Sequence, residues 1–336
     1  MKRRYFRLLL ISSTINILFT QFGCAATPVE TINKNYDKPK KVYVLLFTGQ
    51  SNALGWGYQQ YLEDTKHPLA KPQSDIEMFY SIAGTGYLPE NTLIPMQSGN
   101  SNINVKPLPN HYPDITVAPV SRFGPELTFA RTVKDNLDLG DAKLVIIKYA
   151  QGGTSIYKHW IPDGTASAAE DGPIYKAFQN VVNNGLKEIK TKYPDHQIEI
   201  LGMGWVQGES DALDSKGAIY QKNLEDFIAD VRLTYGSQFP FVFNKISPQQ
   251  IEGGKPAIVE QWEIVRKAQE VVANTIPLTK TTETLGDKYG VSKGLSEGQY
   301  HYNTPALLQI GEDLGHALVK IIKTEGLLKK KKKSKK

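Results

Sequence analysis

Five short, apolar, β-rich runs separated by helical patterns constrain this chain more than any other feature. They fall at residues 42–47, 76–80, 144–149, 198–205 and 241–246. A continuous apolar run of this length suits a strand covered on both faces, the environment of a parallel sheet. Residues 125–137, 174–193, 219–235, 259–273 and 305–322 place apolar side chains at helical spacing. Pro125 stands where helices tolerate proline, at the first turn. Strands alternating with helices predict an α/β fold with a parallel sheet, right-handed crossovers and helices on both faces. The stretch 81–123 interrupts the alternation. It is rich in Gly, Pro, Asn and Ser and has no clear period. A loop of that length inside a domain is unusual and often functional, so it reads as an insertion near the strand carboxyl ends, where ligands bind in open α/β sheets.

The ends of the chain carry a different kind of information. Lys2, Arg3, Arg4 and Arg7 precede an apolar stretch that ends in Gly23-Cys24-Ala25-Ala26. A basic start, a short apolar run and small residues form a secretory signal, read here as residues 1–26. An uncleaved anchor is the competing reading. Cys24 stands where a lipoprotein signal places its lipidated cysteine, while cleavage after Ala25 or Ala26 would leave no lipid. The mature protein is therefore expected to be secreted or periplasmic, with membrane attachment if Cys24 is lipidated. Residues 27–41 read as a linker, 42–323 as the folded unit, and 324–336, with seven lysines, as a solvated tail.

These ends also explain the charge. The 336 residues carry 40 Lys and Arg against 34 Asp and Glu, a net charge of +6. Without the eleven cations of signal and tail, 29 basic residues face 34 acidic ones, a net charge of −5. The basic balance therefore gives no support to nucleic-acid binding. Apolar residues at 40% exclude whole-chain disorder. A single cysteine excludes a disulfide framework and a cysteine-based zinc site.

The candidate nucleophile follows the first apolar run, in Gly49-Gln50-Ser51-Asn52. A serine at a strand-to-helix junction projects its hydroxyl into the crevice, and its own N–H lies near the positive end of the helix. The same position also suits a plain helix cap. Ser210, in Gly208-Glu209-Ser210-Asp211, is a rival after another buried run, but two carboxylates flank it. Fixed negative charge beside a developing oxyanion opposes the reaction, which favours Ser51. Of six histidines, His301 precedes Asn303-Thr304-Pro305, a helix start, and so sits in a loop suited to a general base. His67, His111 and His159 fall in loop-like stretches, His196 in a turn and His316 inside a helix.

Gly49-Gln50-Ser51-Asn52, Lys148-Tyr149-Ala150-Gln151-Gly152-Gly153-Thr154-Ser155, Trp205-Val206-Gln207-Gly208-Glu209-Ser210-Asp211 and His301-Tyr302-Asn303 occur in that order, with Gly124-Pro125-Glu126 between the first two. Together they resemble the SGNH hydrolase superfamily, and within it the sialate O-acetylesterase and acetyl xylan esterase branch of carbohydrate esterases. The resemblance implies a flavodoxin-like, three-layer α/β/α sandwich around a five-stranded parallel sheet. It implies Ser51 as nucleophile, His301 as base, and an oxyanion hole from the N–H of Ser51, the N–H of Gly152 or Gly153, and the side-chain amide of Gln207. It implies no metal or organic cofactor, and an acetylated carbohydrate as substrate. One departure stands out. The family places Asp three residues before the histidine, whereas this chain has Gly298 there and Glu297 one residue earlier. Glu297 is therefore the expected orienting acid, with Asp287 or a backbone carbonyl as alternatives. Glu126, Glu209 and Asp211 are expected to serve structural hydrogen bonds. Trp160 and Tyr157 are candidates for stacking on a sugar, or else core aromatics. Two competing functions remain at this point: an esterase of lipid or small-molecule esters on the same fold, and a carbohydrate-binding protein with a decayed site.

Overall fold

β1 (Lys41–Gly49) forms on the most continuous apolar run, and every residue after Lys41 is buried. Strand alternation sorts its side chains between two cores. Tyr43, Leu45 and Phe47 enter one, and Val42, Val44 and Leu46 enter the other. A strand so placed must be interior to the sheet and covered on both faces. The computed structural model describes residues 40–82, 88–101, 121–291 and 300–328. Residues 1–39 with Cys24, the acid Glu297, and the lysines from Lys329 onward lie outside them.

After β1 come α1 (Ser51–Leu54), β2 (Gly57–Tyr58), α2 (Gln59–Asp64), β3 (Gln73–Ser81), β4 (Ile94–Met96) and β5 (Arg122–Phe123). Then follow α3 (Glu126–Asn136), β6 (Lys143–Ala150), α4 (Pro173–Lys192), β7 (Gln197–Val206), α5 (Glu209–Leu213) and α6 (Gly217–Tyr235). The domain ends with β8 (Phe241–Asn244), α7 (Pro256–Thr275), β9 (Thr279–Thr282) and α8 (Thr304–Thr324). The main sheet has the order β4-β3-β6-β1-β7-β8-β9, parallel throughout except for the β3–β4 pair. Side chains of α3 and α8 fill the core on one face, and those of α4, α6 and α7 fill the core on the other. This is the expected three-layer α/β/α arrangement.

The sheet has seven strands, where five were expected. All five apolar runs became strands. The two additional ones are edge strands that lack a continuous apolar run. β9 reads Thr-Lys-Thr-Thr, and its β-branched residues pair with β8 alone. β4 pairs antiparallel with β3 and lies inside the stretch read as an insertion. That stretch also contributes β5, which pairs with β2 in a second, two-stranded sheet. Among the described residues, no helix is long and apolar enough to cross a membrane.

Close packing of α8 on α3 depends on two glycines one turn apart. A Cβ on Gly311 would overlap the Pro125 carbonyl oxygen and Thr128 Oγ1, and one on Gly315 would sit 2.6 Å from Thr132 Cβ. Helix propensity alone predicts that Gly311→Ala stabilises the protein by about 1 kcal/mol. The contact predicts the opposite sign, a loss of about 1–3 kcal/mol as in other overpacked cores. Urea unfolding of Gly311→Ala decides between them, and a stabilised variant would contradict the packing argument.

Candidate active site

Three neighbouring strands end level with one another. Gly49 of β1 is in register with Ala150 of β6 on one side and with Val206 of β7 on the other. The residues just past these ends are Ser51, Gly152 and Glu209. In an open α/β sheet this is where a ligand binds, at the point where the strand order reverses. Gly49 makes the arrangement possible. Its φ of +144° lies in the region that favours glycine, and a Cβ there would collide with the Val206 carbonyl. Gln50 then donates its N–H to that carbonyl at 3.0 Å. Its side-chain oxygen accepts from the Ser210 N–H at 3.2 Å. So anchored, the chain turns off the sheet and α1 begins at Ser51.

Ser51 lines a cavity of about 360 Å³ with Trp56, Arg122, Tyr149, Gln151 and Gly152 among its walls. Gly152 comes close enough that a Cβ on it would stand 3.5 Å from Ser51 Cβ. Gly153, with φ +70°, is exposed beside it. The N–H groups of Ser51 and Gly152 donate to no acceptor among the described residues. Two unused N–H groups on one cavity wall can receive a developing oxyanion.

His301 reaches this cavity through an aromatic. Its imidazole stacks on Trp56 with ring centroids 3.9 Å apart and planes 18° from parallel. The Arg122 guanidinium lies 4.8 Å from the Trp56 ring. Asn52, next to Ser51, holds the backbone around His301. Its Nδ2 donates to the Tyr300 carbonyl at 3.0 Å, and its Oδ1 accepts from the Tyr302 N–H at 3.1 Å. Ser51 and Gly152 thus share a cavity wall, and His301, from a distant part of the chain, stacks on Trp56 of the same cavity.

Three expectations need correction or stand aside. The side chain of Gln207 is fully buried, and its amide hydrogens go to Asp211 Oδ2 (2.6 Å) and the Thr154 carbonyl (3.2 Å). With both hydrogens used, it does not offer the cavity the oxyanion donor expected of it. Trp160 is fully buried, donates its indole N–H to Thr154 Oγ1 at 2.9 Å and packs edge-on against Trp205. It is core, with no face for a sugar. Tyr157 bonds Asp214 at 3.2 Å and is not among the cavity walls. The aromatics on the cavity walls are Tyr149 and Trp56, and Trp56 was not among the candidates drawn from the sequence. Its signal was available: it sits five residues past Ser51, between Gly55 and Gly57. Arg122 had none, because it lies at the end of a stretch without periodicity.

Glu126, Glu209 and Asp211 are all buried and serve structural bonds, as expected. Glu126 pairs with Lys148 at 2.8 Å, with both side chains fully buried. Burial pushes the Lys148 amine down, and Glu126 opposes that shift. Lys148 also donates to the Leu54 carbonyl at 2.8 Å and to Asn100 Oδ1 at 2.6 Å, which braces the end of α1 from below. Glu209 accepts from Asn52 and Gln250, and burial raises its carboxyl. Asp211 accepts the Ile156 N–H at 2.9 Å as well as the Gln207 amide. Burial outweighs these bonds and pushes it up from 3.8 to about 6.

This shift carries a stability signature. Between the unfolded value of 3.8 and the folded value of about 6, the native state holds a proton that the unfolded chain has released. Stability contributed by Asp211 therefore falls as pH rises through that window and levels off above it. Asp211→Asn removes the titration. The stability difference between variant and parent should change by at most about 1.4 kcal/mol per pH unit across the window. Urea melts from acid to neutral pH measure it, and a difference independent of pH would contradict the buried, raised carboxyl.

Comparison with known proteins places these features in a family. Residues 39–320 match the family model described as carbohydrate esterase, sialic acid-specific acetylesterase. No curated protein matches the chain significantly. Among solved structures, NanS superposes with a TM-score of 0.60 at 18% identity, over 85% of this chain and 99% of its own. A carbohydrate acetylesterase from Xanthomonas citri superposes with a TM-score of 0.54 at 16% identity, over 84% of this chain and 56% of its own. A protein from Arabidopsis thaliana gives 0.51 at 21% identity, over 83% and 98%. At such identities the structures show a shared fold, while the family match covers most of the sequence. The chain belongs to the sialic acid-specific acetylesterase family of carbohydrate esterases and is a carboxylic ester hydrolase.

Proposed function

We propose that this esterase removes O-acetyl groups from a sugar, of the acetyl xylan or O-acetyl sialate type, through an acetyl-enzyme formed on Ser51. The observation that carries the reading is the shared cavity wall of Ser51 and Gly152, each with an N–H that no described acceptor takes.

In this mechanism Ser51 Oγ attacks the acetyl carbonyl carbon while His301 takes the hydroxyl proton. The carbonyl oxygen becomes an oxyanion facing the N–H groups of Ser51 and Gly152. One such donor is worth about 2.7–4 kcal/mol of transition-state stabilisation in serine hydrolases. Collapse breaks the bond to the sugar oxygen, which leaves with the proton held by His301. Water then attacks the acetyl-enzyme, His301 takes its proton, and acetate leaves as Ser51 regains the hydrogen. Glu297 is the proposed partner of the other imidazole nitrogen. The walls suit a sugar ester better than a long acyl chain. Ser101, Gln151 and Arg122 offer hydrogen-bonding groups to a sugar. From its N-terminal pattern, we further infer that the mature enzyme works outside the cytoplasm, tethered through Cys24 where that residue is lipidated.

Ser51→Ala should lower kcat/KM on 4-nitrophenyl acetate by at least about 10³-fold, by analogy with loss of the nucleophile in other serine hydrolases. Retention of most activity would remove Ser51 from the mechanism. Acetate release from acetylated xylan and from O-acetyl sialate should exceed fatty-acid release from a long-chain ester. The reverse order would point to lipid esters.

A further inference from the structure

We infer that Gln250 is a positioning residue for His301, acting with Asn52 through the buried carboxylate of Glu209. This rests on His301 being the general base, the reading given above.

Gln250 lies in the short turn of helix Pro248–Ile251, about fifty residues before His301 in the chain, and only 1% of it is exposed. Its Nε2 donates to Glu209 Oε1 at 3.0 Å and to the Tyr300 carbonyl at 2.6 Å. Asn52 Nδ2 donates to the same two oxygens, at 2.6 and 3.0 Å. Two primary amides from opposite sides therefore place all four of their hydrogens on one carboxylate oxygen and one backbone carbonyl.

This pairing decides which way each amide points. A carboxylate and a carbonyl are both acceptors, so only an NH₂ group fits against them. The amide oxygens must then face the other way, toward Tyr302. Asn52 Oδ1 accepts the Tyr302 N–H at 3.1 Å, and Gln250 Oε1 accepts the Tyr302 hydroxyl at 3.1 Å. Gln250 Oε1 also accepts the Ser247 N–H at 2.7 Å, which ties the set to the chain just past β8. The residues on both sides of His301 are thus gripped by the same two amides. Tyr302 is fully buried and cannot move aside.

The arrangement has a cost that a purely packed core avoids. Burial disfavours the ionised form of Glu209, and no cation neutralises it among the described ion pairs. A buried carboxylate with only neutral donors is an expensive way to hold a loop. It is well suited to holding one backbone segment in a single register, because polar bonds are directional where apolar contacts are not. A general base needs that accuracy. A displacement of about 1 Å can lower the rate about 10²-fold.

The test compares Gln250→Met, which keeps length and loses every polar bond, with Tyr302→Phe, which loses the hydroxyl and with it the bond donated to Gln250 and the bond accepted from the Ser247 N–H. Active sites are counted by exhaustive fluorophosphonate labelling, so that kcat on 4-nitrophenyl acetate is expressed per competent site. Gln250→Met should lower kcat about 10- to 100-fold with KM within about twofold, and Tyr302→Phe should lower it about 3- to 10-fold. A merely structural role would lower the melting temperature and the number of labelled sites while leaving kcat per site within twofold of the parent. That result in both variants would overturn the inference. If Gln250→Met does not fold, Tyr302→Phe alone decides. His301→Ala in the same assay separates the two levels. An active His301→Ala would remove the parent reading and this inference together, whereas an inactive one beside unchanged kcat in the other variants would remove this inference alone.

Discussion

The close approach of β1 to β7 at Gly49 is the constraint on which the site depends. A side chain at 49 would strike the Val206 carbonyl, the two strand ends would separate, and Gln50 would lose its bond to that carbonyl. Ser51 and Glu209 are fixed relative to each other only because the strands that lead to them end in register. The link from Asn52 to Glu209 across the gap is short, at 2.6 Å, and has little slack for a shift of either strand. Backbone geometry at one glycine is therefore what allows side chains about 160 positions apart to act together.

Electrostatics gives the second layer of organisation. Three fully buried carboxylates surround the site, and no acidic side chain is among the described walls of the cavity. Each is turned inward and answered by a different partner. Glu126 faces a lysine, Glu209 faces two amides, and Asp211 faces an amide and backbone N–H groups. The polar groups of the described cavity walls are N–H groups, hydroxyls, an amide and a guanidinium, with no carboxylate, which favours an anionic transition state over a cationic one. The same sorting explains why Gln207 left the cavity. Asp211 needs a donor, and the nearest primary amide, four residues away on the first turn past β7, supplies it.

Much of the scaffold was legible in the sequence. The five apolar runs all became strands, and the five helical patterns became α3, α4, α6, α7 and α8. Burial on both faces writes a strong signal into an interior strand. The edge strands β4 and β9 escaped because a strand with one neighbour needs no apolar continuity, and Thr279–Thr282 has none. At the site, Ser51 and Gly152 could be singled out because each follows a buried run and carries a distinctive short motif. Trp160 misled because a tryptophan just past a strand reads the same whether its ring faces solvent or the core. Gln250 carried no local sign at all, and Tyr302 stood out only as the neighbour of His301 in a short motif, since their role exists only in relation to residues brought near by the fold.

What the sequence by itself determined was the layering of the domain and the identity of the groups able to do chemistry, since hydrophobic period and short motifs are local properties. Only the tertiary structure decided which of those groups meet. It turned Gln207 inward to satisfy Asp211, put Trp56 against His301, and set Asn52 and Gln250 around a single carboxylate. The physical reason is that a buried polar group must find its hydrogen-bond partner wherever the fold provides one, and sequence distance has no bearing on where that is.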